Sequence, residues 1–305
     1  MRQSSPLLIV GSMAFDDLEL PSGTSKDVVG GSATYSALTA SLFCPVRIVA
    51  VVGDDFSQQA LDDLVRRGID ISGVERAKGK TFRWVGRYSE NLASRTTLDT
   101  QLNVFADFRP KLPEAFRASP FVLLGNIHPA LQLEVLEQVR APRFVAADTM
   151  NFWISGERPT LIRVLERIDT LIINDEELRE LAGEHNVKRA ARAVLAMGPR
   201  RLVVKRGEYG AMLFDEHGVF FAPAYPLEDE IDPTGAGDSF AGALLGELAS
   251  SPELDGAALR RALMVSATVA SFCVEDVGTQ RLQQLDRRQV AARLDELRTL
   301  VRFGA

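Results

Sequence analysis

The 305-residue chain is 46% hydrophobic and 25% charged, enough apolar content to bury a sizeable core in one α/β unit without a linker. Its formal charge is -6, with acids and bases interspersed, which argues against a nucleic-acid footprint and for a small-molecule partner. Met1-Arg2-Gln3-Ser4-Ser5-Pro6 leads straight into a strand-like run without a long apolar segment or cleavage site, so neither secretion nor membrane insertion is expected. Cys44 and Cys273, far apart in apolar runs, read as buried free thiols suited to a reducing cytoplasm.

Apolar runs of strand length recur at Leu7 to Val10, Val46 to Val52, Phe121 to Leu124, Phe144 to Ala147, Leu171 to Ile173 and Leu202 to Val204, and their continuous hydrophobicity predicts parallel strands buried on both faces. Between them, Ser57 to Arg67, Leu131 to Arg140, Thr160 to Arg167 and Lys188 to Met197 carry apolar residues at helical spacing. That alternation predicts an α/β fold with a mostly parallel sheet. Lys80 to Ser89 and Thr96 to Phe108 break the rhythm as alternating strands without a helix between them, predicting an antiparallel flap, with a plain edge hairpin as the simpler alternative. Small-residue helices follow at Gly235 to Ala249 and Leu259 to Val274, then a charged surface helix at Leu285 to Phe303.

The most informative stretch is Asp232-Pro233-Thr234-Gly235-Ala236-Gly237-Asp238-Ser239-Phe240, a polar loop opening an apolar helix. Gly235 and Gly237 remove bulk where the unpaired N-H groups of a helix start, those of Gly235, Ala236 and Gly237, can converge on a phosphoryl group. An acid inside an anion site implies a task such as taking a proton from an attacking hydroxyl, although Asp238 as a helix cap complementing the dipole fits the local chemistry equally well.

Asp-x-Thr-Gly-Ala-Gly-Asp followed by a small-residue helix resembles the C-terminal signature of the ribokinase/PfkB carbohydrate kinase family. The resemblance implies a three-layer α/β/α sandwich with a mostly parallel central sheet, one domain over 1–305 with a β lid from about 78–108 plus 12–30. The implied activity is transfer of the γ-phosphoryl of MgATP to a hydroxyl of a small sugar-like acceptor. In this reading Asp238 is the general base, Gly235, Ala236 and Gly237 form the anion hole, and Asp232 and Thr234 help hold a monovalent cation such as K+.

Earlier segments resemble the family in the expected order. Val10-Gly11-Ser12-Met13-Ala14-Phe15-Asp16 looks like the first strand, whose acid grips acceptor hydroxyls; a turn cap is the plainer reading of Asp16, and Asp17 leaves the register open. Gly30-Gly31 opens the N-terminal signature, where backbone meets substrate. Asn174-Asp175-Glu176-Glu177 resembles Asn-x-x-Glu, implying magnesium positioned by Asn174 and Glu177 largely through water, against a helix cap with acids in the first turn. Lys205-Arg206-Gly207-Glu208-Tyr209-Gly210 looks like the turn bordering the nucleotide, with Lys205 either touching phosphate or solvated beside Arg206, and Ser266 and Gly278 fall in the segment that flanks adenine. Tyr35 stands where ribokinases carry asparagine, and Ala14 replaces another polar ribose contact, so ribose is not the expected acceptor.

Asn103, Phe105, Asn126, Asp148 and Asn151 are further acceptor-pocket candidates, each also readable as a turn or cap residue. A nucleoside acceptor, stacking on an aromatic ring at the less polar pocket mouth, is the runner-up. Phe82, Trp84, Val85, Leu102, Val104 and Phe105 would make the flap a homodimer surface. Against these stand a serine hydrolase built on Gly237-Asp238-Ser239, whose base would have to be His128, His185 or His217, and a non-catalytic sugar sensor, which has no use for Asp238. A dinucleotide fingerprint and a P-loop both fail on missing glycines.

Overall fold

The computed structural model describes residues 4–302. Their thirteen strands are β1 (Leu7–Val10), β2 (Ala14–Leu20), β3 (Gly23–Gly30), β4 (Val46–Val52), β5 (Ile69–Arg76), β6 (Phe82–Tyr88), β7 (Arg95–Gln101), β8 (Phe121–Leu124), β9 (Phe144–Asp148), β10 (Thr170–Asn174), β11 (Arg201–Lys205), β12 (Ala211–Asp215) and β13 (Gly218–Ala222). Nine form a sheet in the order β13-β12-β11-β10-β9-β8-β1-β4-β5, parallel from β11 to β5, with β12 and β13 antiparallel at one edge. Continuous hydrophobicity in β1 has its reason in this layering: Leu7 and Ile9 face one core while Leu8 and Val10 face the other.

One core packs the sheet against the helices Ser32–Ala40, Ala236–Ser250 and Gly256–Cys273; the opposite core uses Pro129–Gln138, Arg158–Leu165, Asp175–Ala182 and Val187–Leu195. The expected three-layer α/β/α sandwich is therefore the observed one. Side-chain caps mark several helix starts: Ser57, Asn186 and Asp255 each accept a backbone N-H of the first turn. Cys44 and Cys273 are buried and free, burial pushing both thiols up to about 12. No helix among the described residues is long and apolar enough to cross a membrane.

The flap is a second sheet, β3-β2-β6-β7. It differs from an antiparallel hairpin in that β2 and β6 run parallel, so the segments before and after the first sheet crossover are laced together. Its far end also differs: Asn103–Asp107 is a 3-10 helix, not the strand expected through Phe108. The cause is apolar content that the core captures. Phe105 stacks on Phe82 and Phe108 at 5.4 and 5.5 Å, and the turn folds that ring inward. Strands β5, β12 and β13 were not among the expected strands: β5 is interrupted by polar residues, whereas β12 and β13 do carry apolar runs, Ala211 to Phe214 and Val219 to Ala222. The last helix runs Arg287–Leu300, with Leu285 capping the preceding short helix Gln280–Gln284; Phe303, like Met1 to Gln3, lies outside the described residues.

Candidate active site

The Ala236–Ser250 helix begins at Gly235, whose left-handed φ of 76° turns the chain abruptly onto the end of the sheet. A Cβ at that residue would lie 2.4 Å from the Tyr35 ring, so the turn needs glycine both for its conformation and for its space. No side chain caps this helix; the Ala236 N-H, expected in the anion hole, instead donates to the Pro233 carbonyl at 3.2 Å, which leaves those of Gly235, Gly237 and Asp238 for a ligand. Asp238 lies in that turn without acting as a side-chain cap, and its carbonyl is tied to the Ser36 hydroxyl at 2.9 Å. Burial, reinforced by the charge of Asp148 and opposed by Lys205 and Arg95, moves its carboxyl up to about 7.

Lys205, the last residue of β11, is not solvated. Its Nζ donates to Asp148 Oδ2 at 3.0 Å, with side-chain exposures of 17% and 8%, and stands 3.0 Å from where a Gly237 Cβ would be. Burial alone would lower the ammonium's pKa, but Asp148 and Glu177 together hold it above its ordinary value. Arg206 turns away, 3.6 Å from Asp175 and over the Tyr209 ring. Gly207 and Gly210 frame this turn with φ of 53° and 86°.

Asn174 and Glu177 form a reciprocal capping box: the Glu177 N-H donates to Asn174 Oδ1 at 2.8 Å and the Asn174 N-H to Glu177 Oε2 at 2.9 Å. The helix-cap reading of the segment is thus the observed arrangement. Burial raises Glu177 to about 7, against the pull of Lys205. One Glu177 oxygen, Oε2, is engaged by the box. Among the described residues no group of three or more His, Cys, Asp or Glu side chains could hold a metal. The oxygen donors of Asn174 and Glu177 are of the hard type that suits magnesium held chiefly by phosphate and water.

On the acceptor side, strand alternation resolves the two adjacent acids. Asp17 accepts from Arg83 at 2.6 Å on one face of β2, while Asp16 is 4% exposed on the other. Gly30 backs it so closely that a Cβ would fall 2.0 Å from Asp16 Oδ2. Burial, with Asp232 and Asp238 adding repulsion, raises Asp16 to about 8. Gly31, φ 93°, starts the Ser32–Ala40 helix and carries Tyr35 inward, where its buried hydroxyl has no hydrogen-bond partner. Asn126 accepts from Trp153 Nε1 at 2.9 Å and reaches Met150 Sδ at 3.2 Å. Asn103 instead donates to the Thr81 carbonyl at 2.9 Å, holding the flap's base, and Phe105 is in the stack already described; the structure gives both to packing. Asn151 is engaged by Glu180.

Asp232 is fully buried and joins two loops, accepting from the Thr234 N-H at 2.9 Å and the Gly278 N-H at 2.8 Å. Tyr88 of β6 bonds the Thr234 hydroxyl at 3.0 Å, tying the flap to the helix start. With each Asp232 oxygen accepting one N-H and the Thr234 hydroxyl bonded to Tyr88, these side chains clamp the two loops and the flap together. Gly278, backed by Val28 of the flap, belongs to this clamp. Ser266 is corrected too: it is fully buried in its helix and its hydroxyl returns to the Ala262 carbonyl at 2.6 Å, so it cannot flank a nucleotide.

Sequence reasoning missed Tyr88 and Arg95, and it placed Asp148 in the acceptor pocket rather than on Lys205. Ser239 is fully buried, with no route for a hydrolase nucleophile. His128 caps the Pro129–Gln138 helix, and His217 is exposed beside Glu216.

Backbone donors for an anion beside a carboxyl that titrates near neutrality are what transfer of a phosphoryl group to a hydroxyl requires. The chain belongs to the PfkB family of carbohydrate kinases, whose model matches residues 9–285, and is thus a sugar or nucleoside kinase. It is 30% identical over 245 residues to a cytidine kinase of Thermococcus kodakarensis, covering 78% of this chain and 87% of that one. A nucleoside kinase of Methanothermobacter thermautotrophicus is 26% identical over 296 residues, 92% and 93% of the two chains. Among solved structures, Arabidopsis thaliana ribokinase complexed with ribose and ATP shares the fold with a TM-score of 0.76 at 22% identity, covering 96% of this chain and 99% of that one.

Proposed function

We propose that the chain transfers the γ-phosphoryl of MgATP to a hydroxyl of a small sugar-bearing acceptor, with Asp238 as general base. The observation that carries this is the Asp238 carboxyl, raised to about 7 in the first turn of an uncapped helix. Such a group is ionised enough at neutral pH to take a proton and basic enough for the transfer to be useful. As the acceptor oxygen attacks, the amides of Gly235 and Gly237 and the Lys205 ammonium stabilise charge on the transferring group. Asp16 accepts hydrogen bonds from neighbouring acceptor hydroxyls, and Asn126 lines the same end of the sheet. When bound with ATP, magnesium supplies positive charge to the phosphates, with Asn174 and Glu177 orienting its water. Gly207 and Gly210 border the nucleotide. The flap, tied to the helix start through Tyr88, excludes water from the reaction.

A nucleoside acceptor is the second reading, favoured by Tyr35 in place of a polar ribose contact and by the two nucleoside-directed relatives. An aromatic corner beside Asn126, with Phe152 64% exposed and edge-on to Trp153, supports base stacking. Turnover of a panel of pentoses, hexoses, sugar acids and nucleosides, read by coupled ADP release, tests both readings. Phosphorylation of none of them, with intact ATP binding, would overturn the acceptor class. Pairing of two chains through the flap, where Leu98 and Leu102 are 41% and 47% exposed, is a further part of the proposal; a monomeric mass at micromolar concentration would remove it.

A further inference from the structure

Asp148 closes β9 and Lys205 closes β11, so the two are second neighbours in the sheet with β10 between them; in register, Ile172 lies beside Asp148 and Asn174 beside Lys205. Their side chains bridge over that middle strand at 3.0 Å. The other Asp148 oxygen accepts the Thr149 N-H at 2.8 Å, which fixes the carboxylate's own orientation. A lysine stem is long and rotatable, and a lone buried ammonium would swing toward water. Here it is held with Nζ against Gly237, one residue from Asp238 and within the anion hole. We propose that Asp148 is a positioning residue: it holds the Lys205 ammonium at the start of the Ala236–Ser250 helix, where it meets the transferring phosphoryl group. This rests on the phosphotransferase reading above and adds to it a residue that touches neither substrate.

The charged surroundings supply a readout of that placement. Asp238 is faced by Asp148 from β9, Lys205 from β11 and Arg95 from β7, with Asp16, Tyr35 and Cys273 on the acceptor side. Asp148 raises the Asp238 carboxyl and Lys205 lowers it, so deleting either charge leaves the other unopposed, with opposite consequences.

The test is a double-mutant cycle with Asp148→Asn, Lys205→Met and both together, measuring kcat, KM for ATP and the acid limb of kcat/KM, beside a melting curve for each. Lys205→Met is expected to lose ~10²-fold in kcat, the usual effect of removing one donor to a developing charge. Asp148→Asn is expected to lose ~10-fold or more through displacement of Lys205. The double variant should be no slower than Lys205→Met, because Asp148 acts through that lysine. The acid limb should move to lower pH in Asp148→Asn and to higher pH in Lys205→Met, shifts that a purely structural role would not produce. Should Asp148→Asn fold poorly with an unpaired buried ammonium, the double variant, carrying neither charge, keeps the cycle readable through its comparison with Lys205→Met. A slow Lys205→Met beside a fast Asp148→Asn, additive losses, or an unmoved limb in both variants would overturn the inference alone. A Lys205→Met variant with normal kcat would instead overturn the placement of Lys205 at the phosphoryl group.

Discussion

Replacing Gly235 by alanine separates backbone strain from steric overlap, because the fold supplies a matched control. Gly235 and Gly68 have nearly the same φ, 76° and 78°, but a Cβ at Gly68 would meet nothing within 4 Å, whereas one at Gly235 would lie 2.4 Å from three atoms of the Tyr35 ring. Forcing alanine into the left-handed region costs about 1–2 kcal/mol at either residue. At Gly235 the overlap of about 1 Å relative to an ordinary contact adds about 1–3 kcal/mol, since the Tyr35 ring is 1% exposed and has no room to retreat. At about 2 °C per kcal/mol for a chain of this size, Gly68→Ala should lower Tm by about 2–4 °C and Gly235→Ala by about 4–10 °C. Activity should divide them further. A shift of the Gly235 turn by about 1 Å misplaces the anion-hole amides and should cost ~10²-fold in kcat, with Gly68→Ala close to normal. Scanning calorimetry and steady-state turnover on both variants provide the check. Equal melting losses, or a Gly235→Ala variant that turns over normally, would refute the steric reasoning.

Asp16→Asn should stabilise the protein in a pH-dependent way. Its carboxyl is raised from 3.8 to about 8 in the fold, so between those values the folded state holds the extra proton and stability falls as pH rises; asparagine removes that loss. The Tm advantage of the variant should be near zero at pH 4 and grow toward pH 8.5, and a constant or negative difference would contradict it. Tyr35→Phe removes a buried hydroxyl without a partner, so stability should hold or improve by about 1 kcal/mol, whereas a comparable loss in urea unfolding would mean the hydroxyl is bonded. In the wild type, kcat/KM should rise tenfold per pH unit below about 7 and level off above it, because the base must be ionised to act. A profile flat from pH 5.5 to 8 would count against Asp238 as that base.

How legible each feature was in the sequence follows from how local its physics is. The helix start at Gly235 to Asp238 was readable because the turn, the uncapped first turn and the acid lie in one continuous stretch, and the central strands because burial on both faces leaves an unbroken apolar run. The Asp148–Lys205 bond was not, since its partners are 57 residues apart and only the sheet order brings them together. Ser266 misled because a helical serine satisfies its hydroxyl with the carbonyl one turn earlier, and Phe105 because an aromatic in a strand-like pattern can equally fill a core seam. The Asp16 and Asp17 ambiguity required the pleat of β2, which a single sequence does not disclose.

The central claim is that Asp238 takes the acceptor's proton, and Asp238→Asn tests it most directly by removing the charge while keeping the shape. Turnover and melting should be measured together, once an acceptor is known. The account predicts that the variant folds, binds MgATP and acceptor, melts no lower than the wild type at pH 8, and loses roughly 10² to 10⁴-fold in turnover. A folded variant retaining more than about a tenth of wild-type turnover, a barrier change under roughly 1.4 kcal/mol, would contradict it.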